Sequence, residues 1–258
     1  MTSTVSLPIP SDVPPPKAVP ISLAQRRLWF IEQLQPGNSA YNLTIAWRLQ
    51  GSLDHAAFER ALNEVVRRQD SLRTTFCVVN DEPQQEISPY QPFRVRTTEL
   101  SSTVNAEAEA RRLIDAEARA PFDLERGPLF RAELLRLTES EHVFIFNAHH
   151  IVWDGWSINV LRQELTLLYR AFCDGEPSPL PELEAQYADV TAEQQEVSSG
   201  ESWKESLDYW KQQLSGPLPL LELPAARPRP EVPSFKGASE ACHLDAALIG
   251  SQIGRAHV

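Results

Sequence analysis

The segment that most restricts the fold is Val143–Ala148, an apolar run interrupted only by Asn147 and followed at once by His149 and His150. A strand with one wet face alternates apolar and polar residues, whereas a continuous run of this kind reads as a strand covered on both faces. It therefore belongs at the centre of a sheet, with a packed layer on each side. Helical spacing elsewhere supplies those layers. Phe58, Ala61, Leu62, Val65 and Val66 share one face behind Asp54, a residue suited to cap a helix; Leu161, Leu165, Leu168, Tyr169 and Phe172 share another. Ala106, Ala110, Leu113 and Ile114 form a third apolar stripe. The expected class is α/β, an α+β sandwich with a mixed sheet flanked by helices.

Ser22 and Gln25 fit a capping box, and the helix they open runs to Leu34, where Pro36, Gly37 and Asn38 end it. Short strands are expected at Asn42–Leu49 and Leu129–Leu137, and a hairpin at Thr74–Val79 and Gln84–Ser88 around the turn at residues 80–83. Alternation at Phe93, Val95 and Thr97 suggests one more strand. A helix over Ser202–Leu214 carries Trp203, Leu207, Trp210 and Leu214 on one stripe, which needs a partner surface. Residues 1–19 are rich in proline and read as an extended leader outside the fold. Pro177, Pro179 and Pro181 mark a linker, so residues 20–176 read as one lobe and 177–258 as linker plus the incomplete start of another, with the chain cut short. No internal repeat is evident.

Composition narrows the function. In 258 residues, 35 Asp plus Glu against 24 Lys plus Arg give a net charge of -11, which disfavours a nucleic-acid partner because phosphate contacts need cations. No apolar run reaches ~18 residues, and the N-terminus lacks a basic, apolar secretory signal; the expected location is cytoplasmic, with no membrane partner. Cys77, Cys173 and Cys242 are odd in number and far apart, which argues against a disulfide framework or a zinc site.

The chemistry concentrates in His149, His150, Trp153, Asp154, Gly155, Trp156 and Ser157, where a buried strand gives way to a helix. Neighbouring residues of an extended segment point to opposite faces, so one imidazole at most enters a given cleft. An imidazole accepts a proton near neutral pH once a second polar group fixes its tautomer. Asp154 has two readings: it orients a histidine, or it anchors the loop by pairing with an arginine. Gly155 allows a tight turn, and Ser157 can cap the helix that follows. Trp153 and Trp156 either shape a pocket or simply pack. Adjacent histidines rarely converge on one ion, so no metal is expected.

The string His149–Ser157 closely resembles the HHxxxDG motif of condensation domains of nonribosomal peptide synthetases, which are similar in fold to chloramphenicol acetyltransferase. Three further stretches resemble that family in order: Ser22–Trp29, Arg68–Thr74 including Arg73, and Tyr187–Val190. Tyr209–Lys211 and Leu221–Pro230 resemble the approach to the second lobe of such domains. The family's second motif usually carries His then Glu where this chain has Gln69 and Asp70.

The resemblance implies amide formation between a donor acyl or peptidyl thioester and an acceptor aminoacyl thioester. Both would ride on phosphopantetheine arms of donor and acceptor peptidyl carrier proteins, with an adenylation domain of the same synthetase adjacent and no cofactor bound directly. It implies His150 as the catalytic residue and His149, Asp154, Gly155 and Arg73 as supports. Asp154 would pair with an arginine of the second lobe, and Gly155 would keep the loop open for the arm. Trp153, Trp156, Ser157 and Ser22 are channel candidates. Two alternatives stand beside this reading: an epimerization domain of the same family, and a non-catalytic lobe that only binds a carrier protein.

Overall fold

The computed structural model describes residues 17–198, 200–219, 221, 237 and 242–253. In chain order the elements are β1 (Lys17–Pro20), α1 (Leu23–Leu34), β2 (Asn42–Gln50), α2 (His55–Arg68), a 3-10 turn (Asp70–Arg73), β3 (Thr74–Val79), β4 (Glu82–Ile87), β5 (Arg96–Glu99), α3 (Ala106–Arg119), β6 (Phe130–Arg136), β7 (Glu141–His149), α4 (Gly155–Cys173), α5 (Tyr187–Ser198), α6 (Glu201–Gln213) and α7 (Ala246–Gln252). They form a three-stranded sheet of order β1-β4-β3 and a four-stranded sheet of order β2-β7-β6-β5.

The apolar run occupies the interior position that its composition demands. β7 lies between β2 and β6, antiparallel to both, and every residue from His142 to His149 is buried. Phe144, Phe146 and Ala148 pack with Phe58, Leu62 and Val65 of α2 and Leu161, Leu165 and Leu168 of α4. On the opposite face Val143 and Ile145 pack with Ala110, Leu113 and Ile114 of α3. Burial of each large apolar side chain is worth about 1.5–3 kcal/mol, so the two faces together commit β7 to the centre.

Three local expectations are corrected. Lys17–Pro20, which takes in the last three residues of the expected leader, forms β1 and pairs antiparallel with β4, because an extended chain satisfies the open edge of β4 and Gln85 Nε2 donates to the Pro20 carbonyl at 2.9 Å. The hairpin turn is two residues rather than four: Asn80 and Asp81 take φ of 52° and 64°, a primed geometry that matches strand twist, and Glu82 and Pro83 join the strand. Phe93 and Val95 precede β5, since their amides donate to Asn63 Oδ1 and Glu59 Oε2 of α2 rather than to a ladder.

The chain divides into two compact units, Met1–Leu223 and Pro224–Val258. In the first, the segment after residue 176 is tied back to the lobe: Gln186 Nε2 donates to the Arg68 carbonyl at 2.8 Å, and Tyr187 Oη lies 2.8 Å from Ser22 Oγ. The apolar stripe of α6 stays exposed, with Trp203, Leu207, Trp210 and Leu214 each 42–58% accessible. In the second unit, α7 is capped by Asp245, which accepts from the Leu248 amide. No helix among the described residues is long and apolar enough to cross a membrane. Leader residues 1–16 and residues 222–230 of the Leu221–Pro230 stretch lie outside the described residues.

Candidate functional site

Strand alternation separates the two histidines at the end of β7. His149 is 2% exposed, ringed by Tyr41 and Phe122, and its Nδ1 accepts from the Ile151 amide at 3.1 Å. Its proton therefore sits on Nε2, which has no partner among the described residues. His150 is exposed. Its amide donates to the Tyr41 carbonyl at 2.8 Å, and its Nδ1 lies 2.7 Å from the Trp153 carbonyl. A carbonyl can only accept, so Nδ1 carries the proton and Nε2 of the neutral ring is left as an acceptor.

The orienting group is thus a backbone carbonyl rather than Asp154. Asp154 caps α4: its Oδ1 accepts from the Ser157 amide at 2.8 Å and the Ser157 hydroxyl at 2.7 Å, while Ser157 Oγ accepts from the Asp154 amide. Ser157, expected as the cap, is the third residue of the box instead. Burial pushes the Asp154 carboxyl up, yet the Ser157 and Trp156 hydrogen bonds and the charge of His150 outweigh it and hold the group below its usual range. Replacing a cap of this kind costs about 1 kcal/mol. Asp154→Ala is therefore expected to lower the melting midpoint and Asp154→Ser to recover most of the loss. An unchanged midpoint with activity gone would make Asp154 a catalytic group.

Gly155 opens α4 without a positive φ, and a Cβ there meets nothing within 4 Å. The backbone does not demand glycine, so the tight-turn reading gives way to one in which the open surface itself is the feature. Trp156 is 78% exposed beside it. Trp153 turns inward, with its ring 5.0 Å from that of Phe146; its side chain belongs to the core and not to a surface channel. Ser22 is also buried, held by Gln25 in both directions of the capping box and by Tyr187.

Arg73 is a staple. Its guanidinium donates to the carbonyls of Val66, Arg67 and Ser88 and pairs with Asp70. Beside it lies a buried cluster that sequence reasoning missed: Arg68 Nε faces Glu164 Oε1 at 3.4 Å, and Gln69 Nε2 donates to Glu164 Oε2 at 3.1 Å. The cluster joins α2 to α4. The available signal was Glu164 itself, a carboxylate inside the Leu161, Leu165, Leu168 stripe. The Trp153 carbonyl left no signal, since a backbone group is invisible to residue type.

Burial, with the neighbouring His150 charge, depresses His149 to about 4, and burial with His55 and Arg136 lowers His142 as well. An unfolded histidine takes its proton near pH 6.5. Between those values the unfolded chain holds more protons, so stability rises with pH through that window and is lost as pH falls from about 6.5 towards 4. For His149 the loss reaches about 3 kcal/mol at 1.36 kcal/mol per unit. Urea midpoints against pH check this: His149→Asn, which keeps an acceptor for the Ile151 amide, is expected to flatten the slope, and an equal slope in both proteins would overturn the assignment. Among the described residues no group of three or more His, Cys, Asp and Glu side chains is placed to hold a metal.

The lobe is thus of the α/β class, with a mixed sheet covered on both faces and an exposed, tautomer-fixed histidine where its central strand ends. The condensation domain profile matches residues 16–256, and the chain belongs to that family, the condensation domains of nonribosomal peptide synthetases. It is 45% identical over 247 residues to chondramide synthase cmdD of Chondromyces crocatus, covering 95% of this chain and 6% of that one. It is 42% identical over 219 residues to malpinin synthetase of Mortierella alpina, covering 85% and 3%. Among solved structures it is similar to the first condensation domain of the calcium-dependent antibiotic synthetase, with TM-score 0.71 and 25% identity over 79% of this chain and 50% of that chain. The chain thus spans about half of that solved domain and a small fraction of the curated relatives. Its fold is the expected mixed α/β lobe of the chloramphenicol acetyltransferase type.

Proposed function

We propose that this chain supplies the histidine half of a site that joins a donor acyl or peptidyl thioester to an acceptor amine, both carried on phosphopantetheine arms of partner carrier proteins. One observation carries the reading: the Trp153 carbonyl holds His150 Nδ1–H at 2.7 Å and so presents Nε2 as an acceptor at the exposed end of β7. The acceptor amine attacks the thioester carbonyl, the C–N bond forms, the C–S bond breaks, and His150 Nε2 takes or orients the proton that leaves nitrogen. A thioester is already activated, so holding amine and carbonyl in register supplies a large share of the rate, with effective molarities of about 10^5 M or more. The bare surface at Gly155 leaves room for an arm. His149 and Asp154 act as supports, one as a neutral core ring and one as a helix cap, and Arg73 holds the turn behind α2.

A second reading has its own support. His150, Asp154, Gly155 and Trp156 all face solvent, as they would in a lobe that binds a carrier protein without closing a channel. Turnover with loaded donor and acceptor carriers separates the two. Amide product from this chain that disappears in His150→Ala supports catalysis, and carrier binding with no product from either protein supports the binding lobe. Release of an epimerized donor without amide would point to the family's other chemistry.

A further inference from the structure

A cleft of about 690 Å³ opens between β6 and the segments flanking β3 and β4, and none of His149, His150, Trp153 or Asp154 lines it. We propose that it binds an aromatic anion, a carboxylate or phosphate ester carried on a ring system. Its size falls within the roughly 300–1,000 Å³ of small-molecule sites. Its floor is apolar, with Val66, Leu72, Phe93 and Phe130, and the Phe93 and Phe130 rings meet edge to face at 5.4 Å, which suits a flat guest. One wall is open because β5 pairs only with Glu133–Arg136, which leaves Phe130–Ala132 without a strand neighbour on that side.

The charge around the cleft runs against the whole chain. Five arginines line it against Glu117 and Glu133, in a protein of net charge -11. Arg73 and Arg131 are held inward by carbonyls and by Asp70 and Glu117. Arg94, Arg96 and Arg126 are 93%, 74% and 88% exposed at the side chain, paired to Glu59 at 2.9 Å, Glu133 at 3.4 Å and Asp123 at 3.7 Å. The Arg126–Asp123 pair is exposed on both sides, and such pairs are worth about 0–1 kcal/mol; Glu59 and Glu133 are only 23% and 13% exposed but keep the Val95 amide and the Thr98 hydroxyl as partners, so the exposed guanidiniums can turn to an anion that offers two oxygens. Both cavity carboxylates are already engaged, Glu117 by Arg131 and Asn147 and Glu133 by Thr98.

The test is binding to this chain, measured by calorimetry with 1-naphthoate, with neutral 1-naphthamide and with inorganic phosphate alone. Naphthoate is expected to bind about tenfold more tightly than the amide, the worth of one charge-assisted pair, and to weaken as salt is raised. The double variant Arg96→Ala, Arg126→Ala is expected to erase most of that preference, and Ala132→Phe to block the cleft. Equal affinity for naphthoate and naphthamide, unchanged binding in the double variant, or no binding at all would overturn the proposal. So would an acidic peptide that occupies the cleft and is not displaced by naphthoate. The measurement involves no carrier protein and no turnover, so it stands or falls independently of the amide-forming reading.

Discussion

His150→Ala is expected to cut amide formation by about 10^2 to 10^4, the range for loss of a positioned acid–base group, while binding of the carrier proteins is retained. The separation follows from geometry. His150 meets the rest of the protein through its amide on Tyr41 and its Nδ1 on the Trp153 carbonyl; removing the exposed ring leaves the first of these contacts and the cap at Asp154 in place. The variant should therefore fold, with a melting midpoint close to that of the parent. Single-turnover rates in a two-lobed domain carrying these residues, alongside carrier affinity, measure both quantities. Equal rates in the two proteins would remove His150 from the chemistry, and a collapse of carrier binding would make it a docking residue.

Glu164→Ala is expected to destabilise the lobe by about 3–5 kcal/mol, because it strands the buried guanidinium of Arg68 in a low-dielectric interior. Arg68 is 4% exposed and Glu164 8%, and Arg68 Nη1 already has no partner among the described residues. Gln69 would lose its acceptor as well. Because α2 and α4 pack across this cluster, the damage should reach the start of α4 and the His150 loop. Urea denaturation measures it directly. The double change Arg68→Met, Glu164→Leu is expected to return most of the stability, since a buried pair replaced as a unit by apolar groups is often neutral or better. A loss below about 1 kcal/mol in Glu164→Ala would show that the long 3.4 Å pair carries little of the α2–α4 contact.

The parts of the fold that were legible in the sequence are those where one residue type has one physical solution. The Val143–Ala148 run placed β7 at the sheet centre, the Ser22 and Asp54 caps placed two helix starts, and the break from that run into the next helix placed the histidines at a strand end. The errors occurred where two local solutions compete. Asp154 and Ser157 both cap helices, and the first won because its carboxylate reaches the Ser157 amide while Ser157 Oγ reaches back. Phe93 and Val95 alternate like a strand, yet Asn63 and Glu59 of α2 took their amides. Trp153, ambiguous between pocket and core, was decided by the ring of Phe146.

Periodicity and hydrophobicity are properties of the chain, and they were enough to determine the layers and the central strand, while the resemblance to the family rested on the His149–Ser157 string and the stretches that accompany it. Which histidine faces water, which nitrogen holds the proton and what holds it there depend on groups that meet only after folding. The carbonyl of Trp153, the clamp of Arg68, Gln69 and Glu164, and the arginine-rimmed cleft are of that second kind. Each joins backbone atoms or residues distant along the chain, and hydrogen bonds and charges act through space over a few ångströms, without regard to sequence separation.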